Sequence, residues 1–350
     1  MTDEEIKMKA MVLHEFGGSL RLEDVPIPKI ERQEVLIKNN ACGVGLTVSH
    51  IKEGRSGGRL PLILGHKVAG EVAEIGEDVK NVRVGDRVTV YFYMTCGTCK
   101  WCRVGRESLC ENRGLIGVHT GLDWGGGYAE YMKVPAENVF KLPDEAPFKE
   151  ACIVADAIAT PLHVVRERAK VRPLDVVVVG AGGGVGIHVV QMAKVFGGRV
   201  IGIDISKEKL DKVKEVGSDE VINAEVTPNF DEEIQRLTNG RGADVVIDFV
   251  CMEETIEAGF RSLATSGTQV ILANHPGVVI KIPPAPFVRK EIVLTGSRYA
   301  SKQDFAESIE IMRRGLVKPI VTRTFPLEEA NRIHELLEKN EIVGRAVLLI

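Results

Sequence analysis

Two stretches hold residues whose types and spacing suit chemistry. The first, CGTCKWCRVGRESLC, sets Cys96, Cys99, Cys102 and Cys110 in a C-x2-C-x2-C-x7-C pattern. Cysteine pairs two residues apart can grip one tetrahedral ion, and a fourth thiolate closes the site. Four protein ligands leave no open position, so such an ion is structural rather than catalytic. Compact spacing favours zinc, with an iron–sulfur cluster or four free thiols as alternatives. The second stretch, VVVVGAGGGVG at 176–186, turns an apolar run through glycines into a helical pattern. The phase that fits is Ala181-x-Gly183-x-x-Gly186, with Gly180, Gly182, Gly184 and Val185 completing the loop. Backbone free of side chains lets a pyrophosphate approach the amides and dipole of a helix N-terminus. Asp204 ends the next strand pattern about 20 residues on, where a carboxylate accepts ribose hydroxyls and repels a 2′-phosphate. That points to NAD. Lys207 and Lys209 nearby would tolerate more negative charge and leave NADP open.

Elements of two kinds must position these groups. The first 150 or so residues carry short alternating runs, EVLIKNN, VAGEVAEIG and DRVTVYFY, separated by turns such as VGDRV. Near residue 155 the pattern changes. ATPLHVVRERAKV has helical spacing, and apolar strand patterns follow at 243–250, 268–274 and 291–297, with EKLDKVKEVG and MEETIEAGFRSLA as helices between them. This alternation predicts a parallel sheet covered by helices on both faces. The helical KQDFAESIEIMRRG and PLEEANRIHELLEKN come next, and GRAVLLI closes the chain as a strand.

Bulk properties narrow the class. The 350 residues are 44% hydrophobic and 27% charged, with net charge −4 and seven cysteines. Two domains with sizeable cores are expected. The charge offers no attraction for nucleic acid or an acidic membrane, and no apolar run is long enough to span a bilayer. The N-terminal MTDEEIKMKAMVLHEF lacks the basic-then-apolar order of a signal peptide, so a cytoplasmic protein is expected. An odd cysteine total, with four of the seven crowded into residues 96–110, favours metal over disulfides.

With GHKVAGEVAEIG, VGDRV, the cysteine lobe, GGGYAEYMKVP, the glycine loop and the terminal VGRAVLLI, the chain resembles the zinc-containing alcohol dehydrogenases of the medium-chain dehydrogenase/reductase superfamily. The resemblance runs nearly end to end. It implies an α/β protein with a GroES-like β-barrel catalytic domain, residues 1–155 and 295–350, and a Rossmann NAD-binding domain of doubly wound parallel sheet, residues 156–294. It implies an active site in the cleft and a homodimer or homotetramer. It also implies a catalytic zinc held by a cysteine, by the histidine of a Gly-His-Glu segment, and by a cysteine or aspartate entering the cofactor domain. The matching positions are Gly45, His66 and Asp156, and the glutamate has become Lys67. Two ligands beside an ammonium make a poor zinc site, so the catalytic ion is expected to be missing and the lobe zinc retained. Thr47 and His50 match the hydroxyl and histidine that pass a proton to solvent. Thr160 matches a residue on the nicotinamide side, Arg345 one that reaches the pyrophosphate, and Arg298 is a further cofactor candidate.

Hydride addition to a carbonyl builds an alkoxide that something positive must meet. Lys67 is one candidate; the other reading has it salt-bridge Asp156 and fill the hole. The expected activity is NAD(H)-dependent hydride transfer between nicotinamide and an alcohol or carbonyl. Reduction of an activated C=C bond, as in an enoyl thioester, and a non-enzymatic NAD-binding redox sensor are the alternatives. Arg55 and Arg59 would suit an anionic substrate tail or simply a solvated loop.

Overall fold

The structure, a computed structural model, describes residues 6–55, 57–273 and 275–350. Part of the signal-peptide reading, residues 1–5, and the end of the 268–274 strand pattern, Asn274, lie outside them. The chain divides into two compact units, one of Met1–Asp156, Ser301–Arg313 and Pro319–Ile350, the other of Ala157–Ala300 and Arg314–Lys318. The boundary expected at 295 falls inside a strand. Val293–Gly296 pairs in parallel with Leu263–Ile271, so it belongs to the second unit. Arg314–Lys318 joins that unit too, where Gln191 exchanges two hydrogen bonds with the Lys318 backbone at 2.9 and 3.0 Å.

In the second unit six strands form one parallel sheet, in the order Glu220–Asn223, Arg199–Asp204, Val176–Gly180, Ala243–Asp248, Leu263–Ile271, Val293–Gly296. Counted along the unit this is 3-2-1-4-5-6, the doubly wound order whose ligands sit beyond the carboxyl ends of the strands. Val176 to Val179 are all buried, as a strand covered on both faces requires. The loop that follows leads into the helix Gly186–Val195.

The first unit is mostly antiparallel. Its largest sheet runs Val139–Lys141, Arg87–Val90, Lys67–Ile75, Glu34–Val44, Arg345–Leu349, Val321–Pro326, with Tyr131–Pro135 also paired to Glu34–Val44. The central strand Glu34–Val44 therefore lies between the strand that begins at Lys67 and the one that begins at Arg345. Gly43 is opposite both Lys67 and Val347. Among the described residues no helix is long and apolar enough to cross a membrane.

A buried polar link ties the short helix Leu46–Lys52 to the helix Ala330–Glu338. His334 is fully buried; one ring nitrogen lies 2.9 Å from Ser49 Oγ and the other 3.0 Å from Tyr128 Oη. Burial first, then the positive charges of Lys52 and Lys67, lower its pKa from 6.5 to about 3. The folded protein thus takes up this proton only near pH 3, while the unfolded chain takes it up near 6.5. Stability from this group is complete above 6.5 and is lost as pH falls towards 3, at up to ~1.4 kcal/mol per pH unit. Denaturant melts of wild type and His334→Gln across that window check this. The variant loses less stability per pH unit; equal slopes would contradict the assignment.

Candidate active site and metal lobe

Gly43 and Gly45 point to the same side of an extended segment, because side chains alternate with period two. Gly45 continues the extended path as the residue before the helix Leu46–Lys52, at φ −169° and ψ 164°. Any residue adopts that backbone, so its glycine answers a need for space. A Cβ at Gly43 would lie 3.3 Å from Lys67 Cβ; one at Gly45 would lie 3.3 Å from Lys67 Nζ and 2.6 Å from Arg345 Nη1. The lysine side chain therefore runs along the channel that two missing side chains leave, and the arginine tip enters beside it.

Both cations converge on Asp156. Arg345 Nη2 donates to Asp156 Oδ2 at 2.5 Å, and Lys67 Nζ stands 3.8 Å from the same oxygen. Lys67 is 1% exposed, against 20% for the Asp156 side chain and 8% for that of Arg345. Its Nζ makes no hydrogen bond among the described residues. Burial lowers the Lys67 pKa, Asp156 opposes that shift and Arg345 reinforces it. His66 is buried at the edge of the Phe92 ring, 4.7 Å between centroids, and its Nδ1 has no hydrogen-bond partner among the described residues. Burial, then Lys67, hold His66 well below its usual pKa, so it stays neutral. Cys42 and Cys152 are buried thiols in the same unit; desolvation pushes Cys42 up to about 12.

The resemblance implied that Arg345 reaches the pyrophosphate; in the structure its guanidinium pairs with Asp156. Lys67 Nζ is buried at ion-pair distance from Asp156. A catalytic zinc does not fit these residues: Gly45 brings no donor, and Asp156 Oδ2 already faces two cations. Thr47 and His50 share the helix Leu46–Lys52 at i, i+3 spacing, so they are neighbours on its surface, Thr47 exposed and His50 half-buried. Arg55 and Arg59 are exposed and paired with Glu53 and Asp123, as in a solvated loop.

The four lobe cysteines do come together. Their sulfurs lie within 4.8 Å of one another, with 3.6 Å between Cys99 and Cys102 and 3.5 Å between Cys96 and Cys110. A tetrahedral zinc with Zn–S near ~2.3 Å needs sulfurs about 3.8 Å apart, so the residues fit one ion. The Cys99 amide donates to Cys96 Sγ and the Cys96 amide to Cys110 Sγ, each at 3.4 Å. Amide donors, those of Thr98 and Cys99 first, bring the Cys96 thiol down to about 6, towards the thiolate a metal takes.

In the second unit the glycine loop and its acid meet directly. A Cβ at Gly182 would run into the Asp204 carboxylate and the Lys209 stem, and one at Gly186 into the Gly180 carbonyl. Gly183 is exposed, with nothing near its missing side chain, which is the position a ligand could approach. Gly180, Gly184 and Val185 are half-buried around it, and His188, which the sequence did not single out, lies 2.9 Å from the Gly184 carbonyl through Nδ1. Asp204 Oδ1 accepts from the Ser206 amide at 2.9 Å. Lys209 is buried; desolvation lowers its pKa while Asp204 opposes. Thr160 is buried in the helix Ala159–His163, and Arg298 is exposed just past the strand Val293–Gly296. Asp204→Ser weakens NADH binding roughly 10-fold, the worth of a charge-assisted hydrogen bond, and narrows the gap to NADPH. Fluorescence titration with both cofactors reads this; unchanged Kd values would remove Asp204 from the ribose site.

Two family models match the chain: the alcohol dehydrogenase GroES-like domain over residues 31–144 and the zinc-binding dehydrogenase over 184–314. An NAD-dependent alcohol dehydrogenase of Sulfurisphaera tokodaii is 36% identical, over 98% of this chain and 100% of its own length. An acryloyl-coenzyme A reductase of the same organism is 30% identical, over 97% and 99%. A crystal structure of an NAD-dependent alcohol dehydrogenase superposes with TM-score 0.92 at 32% identity, covering 98% of this chain and 100% of that one. Fold, glycine loop, cysteine lobe and these full-length likenesses agree: the chain belongs to the zinc-type alcohol dehydrogenase-like enzymes of the medium-chain dehydrogenase/reductase superfamily.

Proposed function

We propose that the chain moves hydride between NAD(H) and an alcohol or carbonyl substrate, with protein cations on Asp156 in place of a catalytic zinc. The observation that supports this is the convergence of Arg345 and Lys67 on one carboxylate, which leaves one net positive charge when both are protonated. Fixed charge of that sign stabilises an alkoxide as it develops, without reorganisation at the moment of reaction. Bound NADH would supply the hydride from nicotinamide C4. Gly183 and the amides opening the helix Gly186–Val195 would hold the pyrophosphate, Asp204 the ribose, and Thr160 the nicotinamide side. Thr47 and His50 would carry the proton outward. With Nζ buried, Lys67 acts through space, and Lys67→Met lowers turnover less than loss of Arg345 does. The lobe cysteines would hold a structural zinc.

A second reading, reduction of an enoyl thioester, draws on the acryloyl-coenzyme A reductase relative, since the same positive charge would stabilise an enolate. Incubation with NADH and either aldehydes and ketones or enoyl-CoA esters, followed by NADH consumption, separates the two. Saturable NADH binding with no turnover on either panel would favour a sensor instead. A cytoplasmic homodimer or homotetramer remains our expectation, to be checked by fractionation and light scattering.

A further inference from the structure

We propose that Gly43, Gly45, Lys67 and Arg345 work as one unit that makes Asp156 a protein-paired carboxylate and shuts a metal ion out of the site. This inference rests on the reading of the site given under Proposed function and explains how that site is built. Neither the extended backbone at Gly45 nor its place before a helix calls for glycine. What it meets does: a Cβ there would stand 2.6 Å from Arg345 Nη1, closer than real Cβ contacts come. The arginine cannot give way cheaply, because its other terminal nitrogen is held at 2.5 Å by Asp156 and its side chain is 8% exposed. At Gly43 a Cβ would sit 3.3 Å from Lys67 Cβ and 3.0 Å from Ile153 Cγ2, so the lysine stem also depends on a missing side chain. The register enforces the arrangement, since Gly43 is paired to Lys67 on one side and to Val347 on the other. Restoring a cysteine at position 45 therefore does not by itself restore a metal site. Its Cβ displaces the guanidinium, while Lys67 stays 3.8 Å from the oxygen that the ion needs.

Two measurements, neither of which uses a substrate, test the unit. In a double-mutant cycle, Gly45→Ala lowers Tm by about 3 °C more in the wild-type background than in Arg345→Met, because the added methyl then has room. Equal penalties in both backgrounds would overturn the proposal. In the second, cobalt(II) is titrated against chains whose lobe is already filled with zinc. Wild type and Gly45→Cys take up no further ion, whereas Gly45→Cys/Lys67→Met/Arg345→Met takes one, with the visible absorption of a thiolate-bound tetrahedral cobalt. A second ion in wild type, one in Gly45→Cys alone, or none in a folded triple variant would each overturn it. If the triple variant does not fold, the stability cycle decides. Failure of the hydride-transfer reading would show separately, as absent turnover by a wild-type chain that still passes both tests.

Discussion

Arg345→Met lowers kcat for NADH-dependent reduction by roughly 10²–10³-fold, the size seen when one preorganised electrostatic partner of a developing oxyanion is removed, and leaves the NADH Kd unchanged. The expectation follows from where the side chain ends. Its guanidinium is paired with Asp156 at 2.5 Å and is nearly buried, so its charge acts in a poorly solvated site. Methionine keeps much of the volume and removes the charge. Asp156 is then left with Lys67 alone at 3.8 Å, and the net charge of the cluster falls from +1 to zero. The split between kcat and Kd is the informative part. A variant with kcat retained and NADH affinity lost would instead assign Arg345 to the pyrophosphate, as the sequence resemblance implied.

Cys110→Ala has the second large effect, on stability. Much of the lobe it closes is open to solvent: Cys96, Cys99 and Cys102 are only half-buried, and the helix Lys100–Arg103 has no buried residue. A segment of that kind depends on its ion, because structural zinc contributes folding free energy on the order of 10 kcal/mol in small metal-organised folds. Removing one of four thiolates leaves an incomplete tetrahedron. The variant loses its lobe zinc and melts more than about 10 °C below wild type, read by metal analysis and calorimetry on the same sample. An unchanged melting temperature with zinc absent would mean that the lobe is held by packing instead.

Much of this was legible in the sequence because it rests on local pattern. The four cysteines are close along the chain, and a short knuckle of turns brings their sulfurs together. The apolar run at 176–179, the glycines after it and Asp204 lie in one strand–loop–helix–strand unit, so periodicity together with the glycine and acid spacing placed them. Two features were less legible, because both rest on pairing between distant segments. The pattern at 291–297 was read into the parallel sheet, but the exact boundary was not: the resemblance put it at 295, inside the strand Val293–Gly296 that pairs with Leu263–Ile271. Arg345 is 300 positions from Gly45, yet sheet register puts their strands side by side. The clue was present in ACGVG, where two glycines stand two apart at the end of a strand. Such spacing marks one face stripped of side chains, but sequence alone does not tell what fills it.

The most direct measurement is the number of zinc ions per chain in wild-type enzyme that turns over, counted before and after a chelator removes the loosely held metal. One ion is expected, in the cysteine lobe, with turnover unaffected by the treatment. Two ions, with activity falling as the second is withdrawn, would contradict it.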